Sequence, residues 1–249
     1  MVQNTKQIVK DKYSEIARTP MKTCGCSCAG QNTVSKNIGY SEQDLAQVGE
    51  ADLGLGCGNP VAFGKMRPGD VVVDLGSGAG IDCFLAAKRI GPTGKVIGVD
   101  FTEEMIVKAK TNALKMDFRN VDFILGDIEN LPLADNSADI IISNCVINLA
   151  PDKLKVFQEA KRVLKPGGRM YVSDIVLLAE LTPEQRKNEA LIAGCVAGAV
   201  LKDAYLDIIK KAGLAVSIIS ENKKISKEQY QGIPLESMLI EAVKKIAAQ

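Results

Sequence analysis

The chain has 249 residues, 46% of them apolar, enough for one generous domain with an appendage and a sizeable core. Thirty-one Lys and Arg against thirty Asp and Glu leave a formal charge of +1, which argues against the strong overall field of a nucleic-acid or membrane-surface binder. Histidine is absent, so imidazole is excluded as a general base, as a zinc ligand and as the partner of a Ser or Cys nucleophile.

In chain order, the first twenty residues, "MVQNTKQIVKDKYSEIARTP", are broken by charge throughout and show no apolar block before a small-residue cleavage site. A secretory leader is not expected, no later run is long enough to cross a bilayer, and cytoplasm is the expected compartment. Cys24, Cys26 and Cys28 follow in "CGCSC". Three thiols so crowded suit capture of a soft ion or disulfide exchange during turnover, and equally an exposed thiol run; the spacing is not that of a zinc finger. Seven cysteines, an odd number, argue against a permanent disulfide framework in a cytoplasmic chain. Residues 1–65 read as an extension or lid, with Tyr40 expected to close over the cofactor. Cys57 sits in "ADLGLGCGNP", too rich in glycine for a helix.

Residues 66–180 read as a core domain with a repeating rhythm. "VVVDL" at 71–75 is an apolar, β-branched run; "GSGAG" follows, then "IDCFLAAKRI" with apolar positions at helical spacing. Cys83 in that helix is expected to face the sheet as core, a redox partnership with Cys57 being the alternative. "KVIGVD" at 95–100 leads to a helix over 102–117, "VDFILGD" covers 121–127, and "ADIIISNC" at 138–145 leads to a helix near 152–164. "GRMYVSDIV" follows the turn in "VLKPGG" as a fifth strand. This alternation predicts an α/β fold, a doubly wound and mostly parallel sheet covered on both faces. Residues 181–249 supply substrate-side helices, with Cys195 on a helix of small residues in "LIAGCVAGAV", one further strand in "LAVSIIS", and a terminal helix in "PLESMLIEAVKKIAA".

The ligand is read from "VVVDLGSGAG". Gly76, Gly78 and Gly80 let the backbone turn sharply and approach a ligand at the amino end of the next helix, where N–H groups point outward. The dinucleotide fingerprint would need glycine at position 81, which is Ile81 here. Asp100 ends the second strand, where an acid accepts hydrogen bonds from ribose hydroxyls in more than one cofactor class. Asp127, with its neighbour Ile128, stands where the third strand would deliver an acid to an adenine amine. Asp74 is expected to reach the cofactor's amino group, and Met105 either covers the adenine or fills core. The whole run resembles the class I S-adenosylmethionine methyltransferases, with a Rossmann-like sheet.

The methyl acceptor should lie over the carboxyl edge of the sheet, where the fourth strand ends at Cys145. Singly, Cys57, Cys145 and Cys195 each have a plain account as buried packing. Together, "EADLGLGCGNP", "DLGSGAGIDCFLAA", "SNCVINL" and "AGCVAGA" resemble the arsenite S-adenosylmethionine methyltransferases over most of residues 35–215. That resemblance implies trivalent arsenic held by thiolates at Cys57, Cys145 and Cys195, with S-adenosylmethionine as methyl donor. It also implies a thiol reductant, thioredoxin or glutathione, and thioredoxin as a transient partner. Arsenite or its thiol conjugates would be the substrate, and the chain is expected to be a monomer free of nucleic acid and membrane. The chemistry agrees: soft arsenic(III) suits three thiolates, and methyl transfer to its lone pair needs no base, as a chain without histidine requires. Two alternatives remain open at this point. One is a methyltransferase for a small organic acceptor; the other is a thiolate metalloid sensor or buffer without turnover.

Overall fold

The computed structural model describes residues 2–19, 31–226, 230 and 232–246. Helices α1 (Val2–Arg18), α2 (Gln31–Asn37), α3 (Glu42–Val48) and α4 (Pro60–Phe63) precede the sheet. Then β1 (Val71–Leu75), α5 (Ile81–Ile90), β2 (Lys95–Asp100), α6 (Glu103–Lys115), β3 (Val121–Leu125), β4 (Ala138–Asn144), α7 (Lys153–Val163) and β5 (Leu164–Leu177) alternate as the sequence predicts. Short helices α8 (Pro183–Lys187) and α9 (Glu189–Ala193) lead to α10 (Lys202–Lys211), β6 (Ala215–Asn222) and β7 (Leu235–Val243).

The seven strands form one sheet in the order β3-β2-β1-β4-β5-β7-β6. The first five run parallel, while β7 lies antiparallel between β5 and β6. The terminal segment expected to be helical is therefore strand over 235–243, because pairing on both edges overrides local propensity. Side chains alternate across the sheet, as the pleat requires. Val72 of β1, Ile140 and Ile142 of β4 and Tyr171 of β5 pack with Phe84 of α5 and Ile106 of α6. On the other face Val73, Ile141 and Met170 meet Val156 and Phe157 of α7 and Tyr205 and Ile209 of α10. Each such large apolar side chain contributes roughly 1.5–3 kcal/mol by leaving water.

Strand order reverses between β1 and β4, so the crevice of the fold opens above their carboxyl ends. The glycine loop leaves β1 there, and Cys145 follows directly on β4.

Candidate active site

A cleft lies over the switch point, bounded by the glycine loop, the Ala51–Gly56 segment, Asp100–Thr102, Asn144–Val146, Ala193–Cys195, Tyr13 and Tyr230. The loop is pinned from below: the N–H groups of Gly76 and Ser77 donate to the carbonyl of Val99 at 2.8 and 3.1 Å. All three glycines have positive φ, at 71°, 51° and 99° for Gly76, Gly78 and Gly80, a region that an L side chain enters only under strain. Their surroundings differ. A Cβ at Gly78 would meet nothing within 4 Å, so this position stands open to the cleft, whereas one at Gly80 would strike Phe84 and Phe123. Gly80 thus serves helix packing and does not line the cleft.

The acids divide by environment. Asp100 is buried, its Oδ2 accepting from the N–H of Gly78 at 3.0 Å and its Oδ1 from that of Thr102 at 2.9 Å. Burial lifts its affinity for a proton, and those backbone donors offset the lift. Asp74 is buried beside it and accepts from the Cys83 thiol at 3.2 Å, with burial and the neighbouring Asp82 pushing it well above the usual carboxylate range. The bond to Asp74 gives Cys83 a partner other than Cys57. Asp127 lies two residues beyond the end of β3 and is half exposed, paired with Lys6 of α1 at 2.7 Å. With Ile128 it lines a narrower extension that shares Gly76, Asp100, Phe101, Val146 and Leu149 with the main cleft and is roofed by Lys6 and Val9. Met105 is fully buried and lines neither space; Phe101 and Thr102 stand at that edge instead.

The three cysteines lie close together, and two of them, Cys145 and Cys195, line the cleft. Cys145 has φ 59° and Cys195 φ 65°, both left-handed, and both are buried. The Cys145 N–H donates to Ser173 O at 2.8 Å, and the Cys195 thiol donates to the Cys145 carbonyl at 2.6 Å. Cys195 lies in the turn after α9 and not on a helix, because Gly194 caps α9 before it. Cys57 is buried in its glycine-rich loop, and its sulfur lies within 4.8 Å of that of Cys145. A Cβ at Gly58 would fall on the Ser173 hydroxyl, which is why that loop can lie so close to β5. The neighbouring Cys195 and Cys57 sulfurs, followed by burial, hold the Cys145 thiol well above its ordinary value, so it waits as the thiol.

One network ties the two ends. The Tyr40 hydroxyl donates to Asp82 at 2.7 Å and accepts from Asn144 Nδ2 at 2.9 Å; Asn144 also donates to Gly58 O at 2.8 Å and accepts from the Cys57 N–H at 3.1 Å. Burial raises Asp82 to about 6, against the opposing donors Tyr40 and Asn144. Among the described residues, Ser77 Oγ and Asp52 Oδ2 are buried at the cleft without a protein partner, which marks the wall for a polar ligand.

Known proteins share this fold. A methyltransferase-domain family model matches residues 66–213. The arsenic(III) S-adenosylmethionine methyltransferase of Chlamydomonas reinhardtii superposes with a TM-score of 0.65 at 32% identity, covering 87% of this chain and 75% of that one. The chain belongs to the arsenite methyltransferase family. The arsenite methyltransferase of Halobacterium salinarum is 46% identical over 89% of this chain, and that of Mus musculus 39% identical over 87%. The chain spans 60% and 61% of the length of those two relatives.

Within this arsenite methyltransferase family member, the expected trio is brought together, and so are Asp74, Gly76, Gly78 and Asp100. Cys24, Cys26 and Cys28 lie outside the described residues. Sequence reasoning missed Asp52, Asp82, Asn144, Tyr13 and the buried Asp174. Asn144 lies within "SNC" and Asp82 closely follows "GSGAG", segments already singled out, which is the signal that could have found them.

Proposed function

We propose that this chain transfers methyl groups from S-adenosylmethionine to trivalent arsenic held by Cys57, Cys145 and Cys195. The observation that carries the reading is the convergence of three thiols from three separate segments, two of which, Cys145 and Cys195, line a cleft that also holds a glycine loop with buried acids.

The cofactor supplies an electrophilic methyl on a sulfonium centre. The chain's part is to hold it: Gly76 and Gly78 line the approach to the loop, with Gly78 leaving open room, Asp74 faces the amino group, Asp100 the ribose, and Asp127 with Ile128 the adenine. The unpartnered Ser77 hydroxyl and Asp52 oxygen support such a polar ligand. At the acceptor end each thiol displaces a hydroxide from arsenite, forming an As–S bond while the thiol proton leaves with the hydroxide as water. Three soft sulfurs match soft arsenic better than carboxylates would. The arsenic lone pair then needs only alignment with the methyl at about 3 Å, an orientation effect that reaches roughly 7–11 kcal/mol. Methylation formally oxidises arsenic from the trivalent to the pentavalent state, so a thiol reductant of the thioredoxin or glutathione class must return two electrons. Cys24, Cys26 and Cys28 are proposed as the relay for them.

Arsenic speciation after incubation with S-adenosylmethionine, arsenite and a thiol tests the reading. Methylated arsenic is expected from the native chain and little from Cys145→Ser or Cys195→Ser. Methylation that survives both changes would make the cysteines packing residues. Arsenite binding with no S-adenosylhomocysteine formed would make the chain a metalloid buffer. Replacing Cys24, Cys26 and Cys28 with Ser is expected to spare a single turnover and slow the following ones.

A further inference from the structure

We infer that Cys57, Cys145 and Asp174 form a binding site for a soft or borderline divalent cation of the cadmium and zinc class, which competes with arsenic for two of its thiols. The inference rests on the proposed function only in giving Cys57 and Cys145 to both ligands.

The two sulfurs and a carboxylate oxygen of Asp174 all lie within 4.8 Å of one another, and all three residues are buried. The donors of a tetrahedral zinc–thiolate site, with bonds of about 2.3 Å, stand about 3.8 Å apart, so a contraction of about 1 Å closes the set.

Asp174 is held like a ligand. Its Oδ1 accepts from Asn148 Nδ2 at 2.9 Å and from the N–H of Ile175 at 3.0 Å, and its Oδ2 accepts from the Tyr205 hydroxyl at 2.9 Å. Such bonds fix the orientation of a metal-binding carboxylate and leave one lone pair, on Oδ2, for the ion. The third thiol is engaged elsewhere, since the Cys195 sulfur donates to the Cys145 carbonyl.

The donor set decides the ligand class. Arsenic(III) is served by three sulfurs, whereas zinc and cadmium accept mixed sulfur and carboxylate donors. Binding forms two metal–sulfur bonds and one metal–oxygen bond, and the two thiol protons, together with the Asp174 proton where that carboxyl is in its acid form, pass to solvent. No electron moves. The same pair of sulfurs therefore answers to two chemistries, with Cys195 completing one and Asp174 the other.

The test is a double dissociation in the full chain carrying Cys24→Ser, Cys26→Ser and Cys28→Ser, which silences the amino-terminal thiols. Cadmium binding is followed by the near-ultraviolet thiolate charge-transfer band, and arsenite binding by calorimetry. Asp174→Asn is expected to weaken cadmium by about tenfold or more while leaving arsenite binding intact. Cys195→Ser is expected to do the reverse. Equal losses of both ligands in both variants would overturn the inference. X-ray absorption of the cadmium-loaded chain with Asp174 in place guards against a misfolded variant: two sulfurs with oxygen support the site, and three sulfurs refute it. Asp174-dependent cadmium binding in a chain that fails to bind arsenite would leave this site standing and remove the proposed function.

Discussion

Asp174 is a carboxyl group that the fold keeps in its acid form near neutrality. Burial raises it from 3.8 to about 7, against the opposing bonds from Tyr205 and the backbone. Between those values the native chain holds a proton that the unfolded chain has released, so stability falls as pH rises and the contribution is gone above about 7. Between pH 5 and pH 8 the loss is about 2–3 kcal/mol, and urea unfolding of Asp174→Asn, which cannot titrate, should show a correspondingly shallower decline than the native chain. Glycine offers a second contrast. Gly78→Ala puts a methyl into the open cleft at a φ of 51°, so a stability loss of about 1–2 kcal/mol is expected together with weakened S-adenosylhomocysteine binding by calorimetry. Gly80→Ala, which meets Phe84 and Phe123, is expected to lower the melting temperature more than Gly78→Ala does. Sequence distinguishes neither glycine from the other, because the pattern records the turn and not what stands behind each Cα.

Elements whose meaning is local were legible, and those defined by pairing at a distance were not. β1, α5, β2 and α6 carry their apolar period and their breaks within or beside their own residues, and the structure follows them closely. β7 carries apolar residues that also suit a helix, and only β5 and β6 on its two edges decide for strand. The small residues near Cys195 likewise suggest a helix that ends before reaching it. β7 also brings Glu236 into the interior, 3.1 Å from Lys202 Nζ on α10. Lys202→Met strands that carboxylate and is expected to cost about 3 kcal/mol in urea unfolding, with most of it recovered by adding Glu236→Leu. Helix α1 is the other element that distance defines. Lys6 reaches Asp127, Val9 is buried over the narrower space beside Asp127 and Ile128, and Tyr13 lines the main cleft with its hydroxyl 3.4 Å from Ala193 O. Val9→Asp is expected to lift this roof, seen as faster proteolysis within residues 2–19 and weaker S-adenosylhomocysteine binding.

At the scale of the whole molecule, the switch point explains why a site could be anticipated at all. The chain order puts the glycine loop and Cys145 on adjacent strands, so half of the cleft follows from the α/β alternation alone. The other half comes from segments outside that alternation, Cys57 before the sheet and Cys195 after it, and no rule of strand order places them. Resemblance named them; the Tyr40–Asn144 network and the turn after α9 show how they are held. That convergence has a mechanical side. An atom bonded to all three sulfurs closes one loop from 57 to 145 and another from 145 to 195, tying the glycine-rich entry segment and the α9 turn to the middle of the sheet. A cross-link of this kind restricts the unfolded chain far more than the folded one. The substrate would then act as a removable staple, and the chain would resist heat and protease best while loaded and least in the moment after each product leaves.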